Sequence, residues 1–210
     1  MKRVLSKILI VLILVSCQVT NDEPYQSFSN SDFEFIPENY QGTGTILKFI
    51  NQENVEVLIE PISYNLSKEY NSGVGFGQPS NSDSYYYDDL WITLELLNVD
   101  IQNQGVDFCN KITIHINKVG DGRLSTDLGI PYYDDSFCLG NGFSGFSPYE
   151  NLIQMEVNNV TYTKVKTIVP NEFFTFYNNS QIDKVYYDFD VGIIGFDDTQ
   201  NNKEFRLVIE

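Results

Sequence analysis

Beyond residue 33 the apolar residues come in short runs separated by turn-forming residues, and within the runs they alternate with polar ones. A two-residue period puts one side of each run in a core and the other in solvent, which is the signature of β-strands. Lys111 to Val119 (KITIHINKV) is the clearest case. Ile112, Ile114 and Ile116 share one face, and His115 lies opposite with Thr113 and Asn117 as a solvent-facing polar position. Thr45 to Ile50 and Val55 to Ile59 flank Asn51-Gln52-Glu53-Asn54 and read as a hairpin. Leu152 to Val157 and Val160 to Val169 flank Asn158-Asn159, a pair that accepts positive φ and suits a tight turn. Leu90 to Val99, Ile182 to Phe189, Val191 to Phe196 and Phe205 to Ile209 complete the set. No segment carries a sustained helical stripe with caps. The expected fold is all-β, an antiparallel sandwich or a curved, barrel-like sheet.

Two stretches, 63–89 and 120–149, are rich in Gly, Ser and Tyr and read as long irregular loops. Loops of such length usually carry function or are disordered. Each contains Tyr-Tyr-Asp-Asp with a large aromatic close behind: Tyr86-Tyr87-Asp88-Asp89 before Trp91, and Tyr132-Tyr133-Asp134-Asp135 before Phe137. Tyrosine faces stack on sugar rings, and carboxylates accept hydroxyl hydrogen bonds or bind Ca²⁺ through oxygen. These nine residues, Trp91 included, are the candidate ligand site, with a glycan or Ca²⁺ as the ligand. Chance recurrence in a chain with 14 Tyr is the bland alternative.

Catalytic motifs are missing. Asn117 to Leu128 has Val119 and Leu128 where a calcium-binding EF-hand loop needs oxygen ligands. Gly73-Val74-Gly75-Phe76-Gly77 lacks the third glycine spacing and the helix of a dinucleotide loop. Gly142-Phe143-Ser144-Gly145-Phe146 misses the nucleophile-elbow spacing, and a serine hydrolase would have to use the single histidine, His115. One histidine also serves zinc poorly. No cofactor is expected. Paired-carboxylate glycosidase chemistry stays open, because geometry cannot be read from 29 acidic residues.

The amino terminus has the three parts of an export signal: basic Lys2, Arg3 and Lys7, an apolar run from Ile8 to Val15, and small Ser16 before Cys17. The apolar run is short of the roughly 20 residues that a spanning helix needs. Leu14-Val15-Ser16-Cys17 resembles the lipobox of bacterial lipoproteins. That resemblance implies cleavage of residues 1–16 and lipid on Cys17, so that the membrane is a partner through acyl chains. Asp22 and Glu23 resemble the surface-export signal of Bacteroidota lipoproteins, which implies an outer-membrane location and its outer face. Residues 17–33 then form a flexible tether and 34–210 a single domain.

Loss of the leader's three basic residues takes the net charge from −16 to −19. Such acidity excludes nucleic acid as a partner. With Cys17 lipidated, Cys109 and Cys138 remain, and in an oxidising compartment an even pair reads as a disulfide.

The stretch from Val157 to Leu207 resembles the carboxyl-terminal part of uncharacterised Bacteroidota-type lipoproteins. The resemblance is carried by Asn158-Asn159, Tyr162, Val165, Val185-Tyr186-Tyr187, Gly192-Ile193-Ile194, Phe196 and Phe205-Arg206-Leu207. It implies fold and compartment but no activity. Three functions follow as expectations: a non-enzymatic binding module for a glycan or envelope protein, a glycoside-active enzyme, or a structural envelope component.

Overall fold

The alternating runs become the strands of one antiparallel sheet that curls into a half-barrel. Of the two expected architectures it is the curved sheet. A computed structural model describes residues 23–42, 44–72, 84–97, 110–134, 137–169 and 182–209, with the backbone alone for 132–134, 137–141 and 143. Its elements are β1 (Tyr25–Gln26), a helical turn α1 (Asn30–Phe33), β2 (Leu47–Ile50), β3 (Glu56–Asn71), β4 (Tyr85–Leu96), β5 (Lys111–Lys118), β6 (Leu124–Asp134) and β7 (Phe137–Phe146). There follow β8 (Ile153–Val157), β9 (Val160–Ile168), β10 (Lys184–Asp188), β11 (Gly192–Asp198) and β12 (Lys203–Val208).

Two meanders make the sheet. One runs β2 to β7 and the other β8 to β12, and they join where β12 pairs with β2 through Arg206–Ile50, Leu207–Phe49 and Val208–Lys48. Phe146 of β7 packs on Tyr187 of β10 with ring centres 5.3 Å apart, and on Phe189 at 5.8 Å. Strands distant in sheet order therefore meet across the inner face, which makes that face the core. Leu90, Ile92, Leu94, Ile112, Ile114 and Phe196 are fully buried there, each worth about 1.5–3 kcal/mol of burial.

Asparagine chemistry sets the turns as expected. Asn158 and Asn159 both have positive φ (49° and 65°), as do Asn54 and Asn202. Asn51 Oδ1 accepts the amides of Glu53 and Val55 at 3.0 and 2.8 Å, closing the β2–β3 turn.

Three expectations are revised. Residues 63–71 and 85–89 are paired strand, not loop: β3 and β4 match from Ile59–Leu96 to Asn71–Tyr85. Likewise 124–134 and 137–146 form the β6–β7 hairpin. The β3–β4 hairpin reaches past the core, so backbone pairing holds its outer part without the apolar alternation that marks a strand in sequence, whereas β6 buries Leu124, Leu128 and Ile130 on one face.

The domain also begins earlier than residue 34. Tyr25 and Gln26 pair in parallel with Tyr86 and Tyr87 of β4, an edge left open because β5 covers only Asp89 to Glu95. Asp32 is buried and meets Lys118 Nζ of β5 at 2.5 Å, while also accepting Ser29 N at 2.6 Å and Ser29 Oγ at 2.7 Å. Burial pushes the Asp32 carboxyl up, but the bonds from Lys118 and Ser29 outweigh it and hold the group below the usual aspartate value. Tyr40 is buried inside the half-barrel and accepts the Ile193 amide on its hydroxyl at 2.6 Å.

Candidate functional site: the Trp91–His115 platform

Strand alternation divides the first Tyr-Tyr-Asp-Asp string between two faces. Tyr87, Asp89 and Trp91 lie on the outer face of the sheet, whereas Tyr86 and Asp88 share the inner side with Leu90 and Ile92. Register then sets Trp91 opposite His115, and His115 opposite Asp127 of β6.

These outer-face side chains form one connected cluster. The rings of Trp91 and His115 stack with centres 4.1 Å apart and planes 15° from parallel. Asp89 ties both: Trp91 Nε1 donates to its Oδ2 at 2.7 Å, and His115 Nε2 lies 2.5 Å from its Oδ1. His115 Nδ1 stands 3.7 Å from Asp127 Oδ2. Asp89 is buried, and His115 keeps only 17% of its side chain exposed. His115 is thus on the expected face but sheltered, because the indole covers it. Trp91 remains 36% exposed and presents an aromatic surface to solvent.

Polar groups frame that surface. Thr113 Oγ1 and Asn117 Oδ1, one row to either side of His115, are buried and make no hydrogen bond among the described residues, whereas the Asp127 side chain is about a third exposed. Tyr87 lies two residues before Asp89. Burial first, and then the carboxylates of Asp89 and Glu69, push its phenol up. Gly145 stands opposite Asp127, where an added Cβ would come within 3.2 Å of Asp127 Oδ1. Such an arrangement can stack on a flat ring and exchange hydrogen bonds with hydroxyls beside it.

Hydrolytic roles fit it less well. Both imidazole nitrogens face carboxylates, which leaves neither for a serine. The imidazole also fills the gap between Asp89 and Asp127, where a glycosidic bond would have to sit. Among the described residues no group of three or more His, Cys, Asp or Glu is arranged to hold a metal ion.

The second string lies elsewhere. Tyr132, Tyr133 and Asp134 are in β6, opposite Gly140, Cys138 and Phe137. Ser125 marks the level of Asp89, so Tyr132 is about 30 Å along the sheet from Tyr87. The two strings do not converge. Asp135, Cys109 and Cys17 lie outside the described residues.

A groove of about 620 Å³ lies apart from the platform at the β2–β12 junction, lined in part by Ile50, Val160 and Arg206. Its guanidinium is engaged by Asp197 at 2.6 Å and Glu204 at 3.1 Å. Asn158 Nδ2 at its margin donates to Leu207 O at 2.7 Å. These groups fasten strands and turns together.

Sequence reasoning reached Trp91 and Asp89 but not His115 or Asp127. The alternation of β4 carried a signal, since Tyr87, Asp89 and Trp91 share a face. The cross-strand register that adds the other two is a tertiary fact. Comparison with protein-family models, curated proteins and solved structures gives no match.

Proposed function

We propose that this chain is a lipid-anchored protein of the bacterial outer membrane, held by Cys17, whose half-barrel is a non-enzymatic binding module for a glycan. The observation that carries the binding reading is Trp91: a partly exposed indole fixed in orientation by His115 and Asp89 on the outward face of the sheet. Immobilising the ring in advance lowers the entropic cost of ligand stacking. Asp127, with a third of its side chain exposed, supplies a carboxylate beside it that accepts from ligand hydroxyls. An aromatic surface on the outside of a curved sheet suits binding better than a cleft with opposed acids would.

Electrophoresis through gels containing a neutral polysaccharide (β-glucan, xylan or mannan) tests the reading. At least one polymer is expected to retard the protein, and Trp91→Ala to abolish the retardation while circular dichroism stays unchanged. No retardation in any gel, or retardation indifferent to Trp91→Ala, overturns it.

The compartment rests on Leu14-Val15-Ser16-Cys17 and the preceding leader. Intact mass of the cell-derived protein should show acyl chains on a chain beginning at Cys17. Protease shaving of whole cells should remove it if it sits on the outer face. In that oxidising setting Cys109 and Cys138 form a bridge, stabilising by about 3–4 kcal/mol in the chain-entropy model, and neither should react with a thiol reagent before reduction.

A further inference from the structure

We infer that the rim of the half-barrel formed by Tyr25, Leu66, Tyr70 and Tyr86 docks on the headgroup layer of a zwitterionic phospholipid bilayer, an inference that rests on lipidation of Cys17. These four side chains continue the inner face of β3 and β4 beyond the core. There they are 48%, 44%, 47% and 36% exposed, respectively. Tyr70 and Tyr86 pack with ring centres 5.0 Å apart. The Lys68 ammonium sits between the rings of Tyr25 and Tyr86, 4.2 and 4.3 Å from their centres.

Chain length fixes what this rim faces. Glu23 is held at the rim, accepting Tyr70 Oη at 2.9 Å and Ser84 Oγ at 3.0 Å. Only six residue steps separate Glu23 from Cys17, and at full extension they span about 20 Å. An acyl group on Cys17 therefore confines the rim to the neighbourhood of the bilayer surface. The β2–β3 turn, at the other end of β3, stands roughly 50 Å away along the strand.

The chemistry of the rim suits that position. Tyrosine concentrates at the membrane–water interface, where its ring meets apolar matter and its hydroxyl meets water. A lysine at such an interface can bury its aliphatic stem while its ammonium stays with polar groups, and the Lys68 ammonium is held at the two tyrosine rings. Two acids of the rim among the described residues are engaged internally: Asp88 accepts Tyr25 Oη at 2.5 Å and Phe28 N at 2.7 Å, and Glu23 is bound as above. With a net charge of −19 after leader removal the protein gains nothing from anionic lipid. Zwitterionic headgroups are the matching surface.

The test uses the mature acylated protein in phosphatidylethanolamine–phosphatidylcholine vesicles carrying a headgroup nitroxide quencher. In a Trp91→Phe background a single tryptophan is placed at the rim (Tyr70→Trp, or Tyr25→Trp should the first not fold) or at the far end of β3 (Val55→Trp). Rim tryptophan is expected to be quenched at least twofold more than the one at position 55. Equal quenching on a protein whose mass confirms the acyl chains overturns the docking alone. A protein carrying no acyl chain on Cys17 overturns the anchoring reading and the docking with it.

Discussion

The imidazole of His115 lies flat against the indole of Trp91, ring centres 4.1 Å apart, and both rings bond through nitrogen to the two oxygens of Asp89. Each of the three limits the freedom of the others. The platform is therefore a cooperative unit, and removing one member should loosen the rest.

His115→Ala takes away the stacked ring and one of the two side-chain partners of the buried Asp89 carboxylate. The expected loss of stability is about 1–3 kcal/mol. Because Trp91 is the only tryptophan, its emission should move to longer wavelength in the same variant. Chemical denaturation followed by fluorescence reads both quantities.

The buried pair Lys118–Asp32 fastens the amino-terminal segment to β5. Lys118→Met leaves the carboxylate without its cation and should cost about 3–5 kcal/mol, whereas Lys118→Met with Asp32→Leu should recover most of the loss. The carboxyl is held below its ordinary 3.8 in the folded protein. Its contribution is therefore present above that value and lost as pH falls below it. Acid unfolding curves of wild type and double variant should converge in that range.

Gly192 has φ near +100°, and a Cβ there would lie 2.1 Å from Tyr40 Oη. Gly192→Ala should destabilise the protein by at least about 2 kcal/mol through backbone strain and displacement of Tyr40. Tyr40→Phe keeps the ring and loses only the bond to the Ile193 amide, at a cost of about 1–3 kcal/mol. Thermal melts of the two variants separate strain from hydrogen bonding.

Alkaline pH probes the other half of the sheet. Burial first, and then the bond to Asp197, push the Tyr186 phenol from 10.0 up to about 12. Burial also raises Tyr40 and Tyr187. A phenol raised in the folded state stabilises fully below 10 and loses that contribution as pH rises through about 12. Absorbance at the phenolate band should show late-ionising tyrosines that titrate normally in denaturant.

Much of the sheet was legible because burial leaves a period in the sequence. Ile112, Ile114 and Ile116 alternate because one face of β5 is dry, and the Asn158-Asn159 turn shows because few residues accept two positive φ values in succession. The outer reach of β3 and β4 escaped detection since Tyr, Ser and Asn can pair through the backbone with neither face in the core. Asp32 looked like part of a solvated linker, and only its distant partner Lys118 makes it a core residue. The site was half visible for a similar reason. Asp89 and Trp91 are two apart in one strand, but His115 and Asp127 reach them through register between strands.

The emission of Trp91 is the most direct test of the binding platform, since the sole tryptophan is the proposed contact. Titrating the protein with soluble β-glucan, xylan and mannan should give a saturable change in that emission with at least one of them. His115→Ala should weaken the response at least tenfold at matched folded fraction. An emission that stays constant with every polymer, or a response that His115→Ala leaves untouched, would contradict the assignment of this face as the binding surface.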